Sequence, residues 1–107
     1  MSTEVVITIA RDFTRFPAGR YLSDGPYSGE QFRKQLLEPH LAKDESIVVD
    51  FDGALGYGSS FLEEAFGGLI RVGYRAADLL RRLKLKSKDE SLKHEILGYI
   101  QRASKTA

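Results

Sequence analysis

A chain of 107 residues has room for one compact core and little more. With 42% hydrophobic and 29% charged residues it is neither a disordered tail nor a membrane span, and a formal charge of +1 offers no field to gather nucleic acid or anionic lipid. The absence of cysteine rules out disulfides, thiol catalysis and cysteine-held metals.

Residues 3–10 alternate β-branched and small side chains and predict a strand. RDFTRFPAGRYLSDGPYSG follows, broken by Pro17, Gly19, Gly25, Pro26 and Gly29. A short second strand is expected around Phe13 to Leu22, within a folded flap whose aromatics fill the edge of the core. Ser28 and Gln31 have the spacing of a capping box, and Phe32, Leu36, Leu37 and Leu41 then recur as one helical stripe that Pro39 ends or kinks. Residues 45–51 form the central strand; its run Ile47-Val48-Val49 predicts cover on both faces.

A second helix is expected over 60–70, with Ser60 as N-cap and Glu63 completing a second capping box. Gly67 and Gly68 mark its end or a close backbone approach. Residues 75–83 read as a short helix. LKLKS, residues 83–87, reads as an edge strand guarded by lysines. Ser87 or Asp89 caps a last helix with Leu92, Ile96, Tyr99, Ile100 and Ala103 turned inward. This order predicts an α/β domain over 1–107, with a mixed sheet of about four strands and helices packed against it. There is no signal peptide pattern and no apolar stretch of the roughly 20 residues that span a bilayer; with no cysteine in the chain, a cytoplasmic location is the expectation.

The chemistry concentrates in DFDGALGYGSSFLEEAFGG, residues 50–68. Asp50 and Asp52 share one strand face, the spacing of the nucleophile and acid-base pair of a magnesium-dependent phosphohydrolase. The lysine and later acidic pair that such chemistry needs are missing. Ser59 and Ser60 stand where a helix start would welcome a phosphate, and Glu63 and Glu64 would repel it, changing what docks there.

Further residues carry a resemblance. Phe16, Gly19, Arg20, Asp24, Gly25, Pro26, Ser28, Gly29, Glu30 and Phe32, followed by Asp50, Phe51, Ser60, Phe61, Glu64, Ala65, Phe66 and Gly67, resemble the STAS-like family of unknown function. That family is related to the STAS domain of bacterial anti-anti-sigma factors. The resemblance implies a STAS-like fold and a regulatory, non-enzymatic module without cofactor or metal. Its partner would be a protein, a GHKL-type ATPase/kinase, which phosphorylates a serine at the helix start and so ends the binding. By position Ser60 matches that serine and Ser59 its neighbour. The chain departs from those regulators in having Gly58 where they carry an aspartate, and Phe61 and Glu63 where they carry glycines.

The implied interaction surface is Asp52, Gly56, Tyr57, Gly58, Phe61, Glu63 and Glu64. A ligand loop of Arg20, Asp24, Ser28 and Asp50 supports the alternative of a small-ligand or nucleotide binder. Arg20 is expected to reach a carboxylate, with Asp24, Asp50 and Asp52 as candidates. The basic C-terminal half reads as a solvated face rather than a nucleic-acid patch, and a homodimer stays open.

Overall fold

The computed structural model describes residues 3–106; residues 1, 2 and 107, inside the expected domain span, lie outside it. Strand β1 (Glu4–Thr8) runs into a single helical turn, α1 (Ile9–Asp12). A long loop with one 3-10 turn at Leu22–Asp24 leads to helix α2, residues 29–42. Strand β2 (Ser46–Asp50), helix α3 (residues 59–71), helix α4 (Ala76–Arg82), strand β3 (Leu83–Lys86) and helix α5 (Glu90–Thr106) complete the order.

The sheet has three strands in the order β1-β2-β3, all parallel. This corrects the expected mixed sheet of about four. The missing strand is the one expected near residues 13–22. There Asp24 accepts bonds from the amides of Arg20 (3.1 Å) and Tyr21 (2.8 Å), which closes a turn where a ladder would have needed those amides. Every link between strands is helical, and helical crossovers join parallel strands.

Register sorts the side chains. Ile7, Val49 and Leu85 lie in one row and Val5, Ile47 and Leu83 in the next, and these face the core. The opposite face carries Val6, Val48, Lys84, Asp50 and Lys86; Val6 is 57% exposed. The apolar run of β2 therefore does not signal cover on both faces: Ile47 and Val49 are buried, and Val48 is half-exposed.

Phe32, Leu37 and Leu41 of α2 meet Phe61, Leu62, Phe66 and Leu69 of α3 and Ile96 and Ile100 of α5 in one cluster. Each such side chain contributes about 1.5–3 kcal/mol on burial. Phe32 and Phe61 stack tilted at 5.9 Å, and Phe13 from the long loop meets Phe32 edge-on at 5.2 Å.

Helices α2 and α3 each contain a π-turn, Arg33–Leu37 in α2 and Glu63–Gly67 in α3. In α2 the π-turn stands just ahead of Pro39, which has no amide to give, and the helix runs on to Ala42. Ser28 caps α2 by accepting from the Gln31 amide at 3.1 Å. Gln31 does not return the bond to Ser28; its side chain accepts from the Tyr27 amide at 2.9 Å. Asp89 caps α5 through the amides of Ser91 and Leu92. Among the described residues no helix is long and apolar enough to cross a membrane.

Candidate functional site

Three parallel strands put their carboxyl ends on one side, where open α/β sheets present functional loops. Here these are the long loop after α1 and the loop 51–58 after β2. Leu55 donates its amide to the Arg15 carbonyl at 3.0 Å, which ties the second loop to the first, and the first is closed on itself by the Ala18 amide donating to the Tyr27 carbonyl at 3.2 Å. Gly53 turns the second loop at φ 98°, a conformation costly for other residues. Tyr57 anchors it, donating its hydroxyl to the Phe51 carbonyl at 2.7 Å and packing edge-on against the Phe51 ring. Burial, then the negative charge of Asp50 and Asp52, pushes the Tyr57 hydroxyl far above its ordinary pKa, so it remains a donor.

The start of α3 corrects the expected cap. The helix begins at Ser59, and Gly58, with extended φ −72° and ψ 151°, is the N-cap. Ser60 lies inside the first turn, so neither serine hydroxyl is committed to capping. Both serines are exposed. Glu63 does not complete a capping box, because with Gly58 as N-cap the position that would return the bond falls on Phe61, and arginines hold the Glu63 carboxylate elsewhere.

Those arginines form the most connected feature of the molecule. Arg20 of the long loop donates to Glu63 at 2.5 Å, and Arg71 grips both oxygens of Glu63 at 2.8 and 2.9 Å. Arg71 also reaches Glu64 at 3.2 Å, and Glu64 accepts from Arg33 of α2 at 3.1 Å. Arg33 closes the chain on Glu38. The network carries three positive and three negative charges and fastens the loop, α2 and α3 to one another. Arg71 first, then Arg20, hold the Glu63 carboxyl below the usual carboxylate range.

Several expected surface residues are placed differently. Phe61 is fully buried, because helical spacing from Leu62, Ala65 and Phe66 turns it into the core. Glu64 is 6% exposed and spent on Arg33 and Arg71. Glu63 is half-buried, as are Asp52 and Tyr57, while Gly56 and Gly58 are exposed. Arg20 does reach carboxylates, but they are Glu63 and Glu64 rather than Asp24, Asp50 or Asp52.

The proposed ligand loop is not brought together as a site. Asp24 is occupied by its own turn, and Ser28 is fully buried as a cap. Asp50 accepts from the Asp52 amide at 3.0 Å and lies 3.6 Å from the Lys86 ammonium. Asp52 accepts from the Lys88 amide at 3.1 Å. Both carboxylates thus serve the strand ends. A depression of about 600 Å³ is lined by Gly73, Tyr74, Arg75, Ala77, Asp78 and Arg81, none of them a predicted site residue.

The sequence reading missed the apolar character of this end of the molecule. Only Phe13 among the loop aromatics packs on the core as expected; Phe16 is 64% exposed, and Tyr21 and Tyr27 are exposed too. Leu55 is 69% exposed and tied to Arg15, the neighbour of Phe16. A signal was present: apolar residues set among glycines and prolines, outside any period, have no helix or strand to turn them inward. Arg33 has no signal in the sequence, and Arg71, expected on a solvated basic face, instead pairs with Glu63 and Glu64, because a charge beside an apolar stripe gives no hint of its partner.

No curated protein and no solved structure matches the chain. A family model described as a STAS-like domain of unknown function matches residues 28–93, from the cap of α2 to the first turn of α5. The matched span holds α2, α3, the central strand and the exposed serines, and the chain belongs to that family.

Proposed function

We propose that the protein is a non-enzymatic regulatory module that docks a partner protein at the carboxyl end of its sheet and is released by phosphorylation of Ser60 or Ser59. One observation carries this reading: two exposed, uncommitted serine hydroxyls open α3 beside a surface where Phe16 and Leu55 are more than 60% exposed. Large apolar side chains held in water by ordered loops gain free energy when a partner covers them. A phosphate there adds close to two negative charges next to Glu63 and changes that surface from apolar to anionic. The resemblance to the STAS domain of anti-anti-sigma factors is what points to a GHKL-type ATPase/kinase as the partner.

The alternative of a nucleotide or small-ligand site draws less support, since Arg20 is spent on Glu63 and Ser28 is buried. The phosphohydrolase reading draws less still, with Asp50 and Asp52 both bonded to backbone amides.

The test uses the tagged full chain and a lysate of its native cells, with retained proteins identified by mass spectrometry. Wild type and Ser60→Ala retain an ATPase that Ser60→Asp and Leu55→Lys release. All four unfold within a few degrees of one another, because Gly58 rather than Ser60 caps α3 and Leu55 is in water. Equal retention by Ser60→Asp, or no ATPase retained by wild type, would refute the reading.

A further inference from the structure

Strand β3 has β2 on one side, and among the described residues no strand pairs with its other side. Each residue of a strand turns its amide and carbonyl to the same side, and successive residues alternate. The Lys86 carbonyl accepts from the Phe51 amide at 2.9 Å, so Lys84 and Lys86 serve β2 while Leu83, Leu85 and Ser87 serve the open side. The Leu83 amide is already given to the Leu79 carbonyl at the end of α4. The groups left to offer are the Leu83 carbonyl, both groups of Leu85 and the Ser87 amide.

A groove lies beneath this edge. α5 turns back along β3, and the two leave a depression of about 320 Å³ lined by Leu83, Leu85, Glu90, Lys93, His94 and Leu97. From Glu90 to Leu97 the helix advances about 10 Å, the length of three strand residues. The floor is apolar and continuous with the core: Leu83 is buried, and Leu85 packs on the core cluster. On the opposite face of the sheet Lys84 and Lys86 flank Leu85, with side chains 65% and 66% exposed. Each has an acid on the inner strands, Glu4 at 2.8 Å from Lys84 and Asp50 at 3.6 Å from Lys86. An ammonium carries three donors, so each lysine has capacity for a further carboxylate on its outer side.

We infer that this edge takes an extended segment of a partner protein in which acidic residues alternate with large apolar ones. Added antiparallel and centred on Leu85, the segment exchanges two backbone hydrogen bonds with Leu85, donates one to the Leu83 carbonyl and accepts one from the Ser87 amide. Its residue opposite Leu85 points to the core face, over the groove, and supplies an apolar side chain. The residues before and after that one point to the other face, beside Lys84 and Lys86, and supply carboxylates. Charge selects this occupant. A second copy's β3 would set lysines against lysines, and a basic strand would meet the same repulsion, whereas acidic side chains in those two places are attracted. The lysines that keep like edges apart thus choose which foreign strand is admitted. The groove contains neither serine of α3 and neither Phe16 nor Leu55, so this pairing stands apart from the function proposed above.

The test titrates the nitrogen-15-labelled full chain with two synthetic peptides, acetyl-Gly-Val-Glu-Leu-Glu-Val-Gly-amide and its counterpart with lysine in place of both glutamates. The acidic peptide shifts the amide signals of Leu85 and Ser87 and binds about tenfold or more tightly than the lysine peptide. The double variant Lys84→Glu, Lys86→Glu, changed only at exposed side chains, reverses the preference, which a misfolded chain would not do. Lys34→Glu, at an exposed lysine on α2, keeps the wild-type preference and so separates local charge from net charge. No shift at Leu85 and Ser87 up to millimolar peptide overturns the proposal. So do equal affinities for the two peptides, or shifts centred on Phe16 and Leu55 instead. Leu85 and Ser87 signals that move with protein concentration alone overturn it too, since the edge would then belong to a second copy.

Discussion

Gly29 is the position where packing leaves least room, and Gly29→Ala tests the crossing of α2 and α3. A Cβ added there would penetrate the Phe61 carbonyl oxygen and stand 3.1 Å from the Phe61 carbonyl carbon and the Glu64 Cβ. The obstruction is helix backbone, which cannot rotate away, so the helices would have to separate by roughly 1 Å, an overpacking that costs about 1–3 kcal/mol. Two bonds add to the strain. The Gly29 amide donates to the Gly19 carbonyl and the Glu30 amide to the Arg20 carbonyl, both at 3.0 Å, so α2 cannot shift without pulling the loop that carries Arg20. Against this, alanine gains up to about 1 kcal/mol of helix propensity, less in a first turn. A net loss of about 2 kcal/mol is expected. With unfolding entropy of about 2.1 cal/mol/K per residue, that lowers Tm by roughly 9 °C. Calorimetry or urea denaturation reads it, with Gly98→Ala as the contrast: there a Cβ meets only the movable end of Arg102, at 3.2 Å, and stability is held or raised. If Gly29→Ala matches or exceeds wild type in stability, the close crossing does not exist as described.

Two further substitutions probe the polar framework. Because Arg71 and Arg20 depress the Glu63 carboxyl, its stabilising contribution is fully present above the ordinary pKa of 4.5 and is lost as pH falls through the folded value. The Tm difference between wild type and Glu63→Gln is therefore widest near pH 7 and closes on acidification below about pH 4; a difference that stays constant with pH would show that the ion pairs contribute nothing. Arg82 is 5% exposed and donates to the Leu41 carbonyl at 2.8 Å and the Glu45 carbonyl at 2.9 Å, satisfying the end of α2. Arg82→Ala strands these groups and costs about 2–4 kcal/mol in urea denaturation, and Arg82→Lys recovers only part because one ammonium lacks the fork; a cost for Arg82→Ala below about 0.5 kcal/mol would remove Arg82 from the framework.

Local pattern and tertiary contact divided the information in this chain. Elements with a strong period were legible: β1 and β2 from β-branched runs, the apolar stripes of α2, α3 and α5, and the Asp89 cap. Hydrophobic periodicity is a property of neighbours in sequence, and it survives whatever those elements pack against. The LKLK strand was legible as an edge for the same reason, since alternation and charge are both local.

The site was legible only in outline. The sequence by itself determined that two serines would open the helix after the central strand, and it pointed to the family. Tertiary structure decided what those residues face. Ser60 gave up the cap to Gly58, Phe61 went to the core, and Glu63 and Glu64 were drawn to Arg20, Arg33 and Arg71. Three arginines from a loop and two helices choose among many carboxylates by where the backbone brings them, and no spacing along the chain encodes that choice. The exposed face of the sheet and the open edge of β1 belong to the same class, because a strand reads alike from its residues whether or not another layer or another strand comes to cover it.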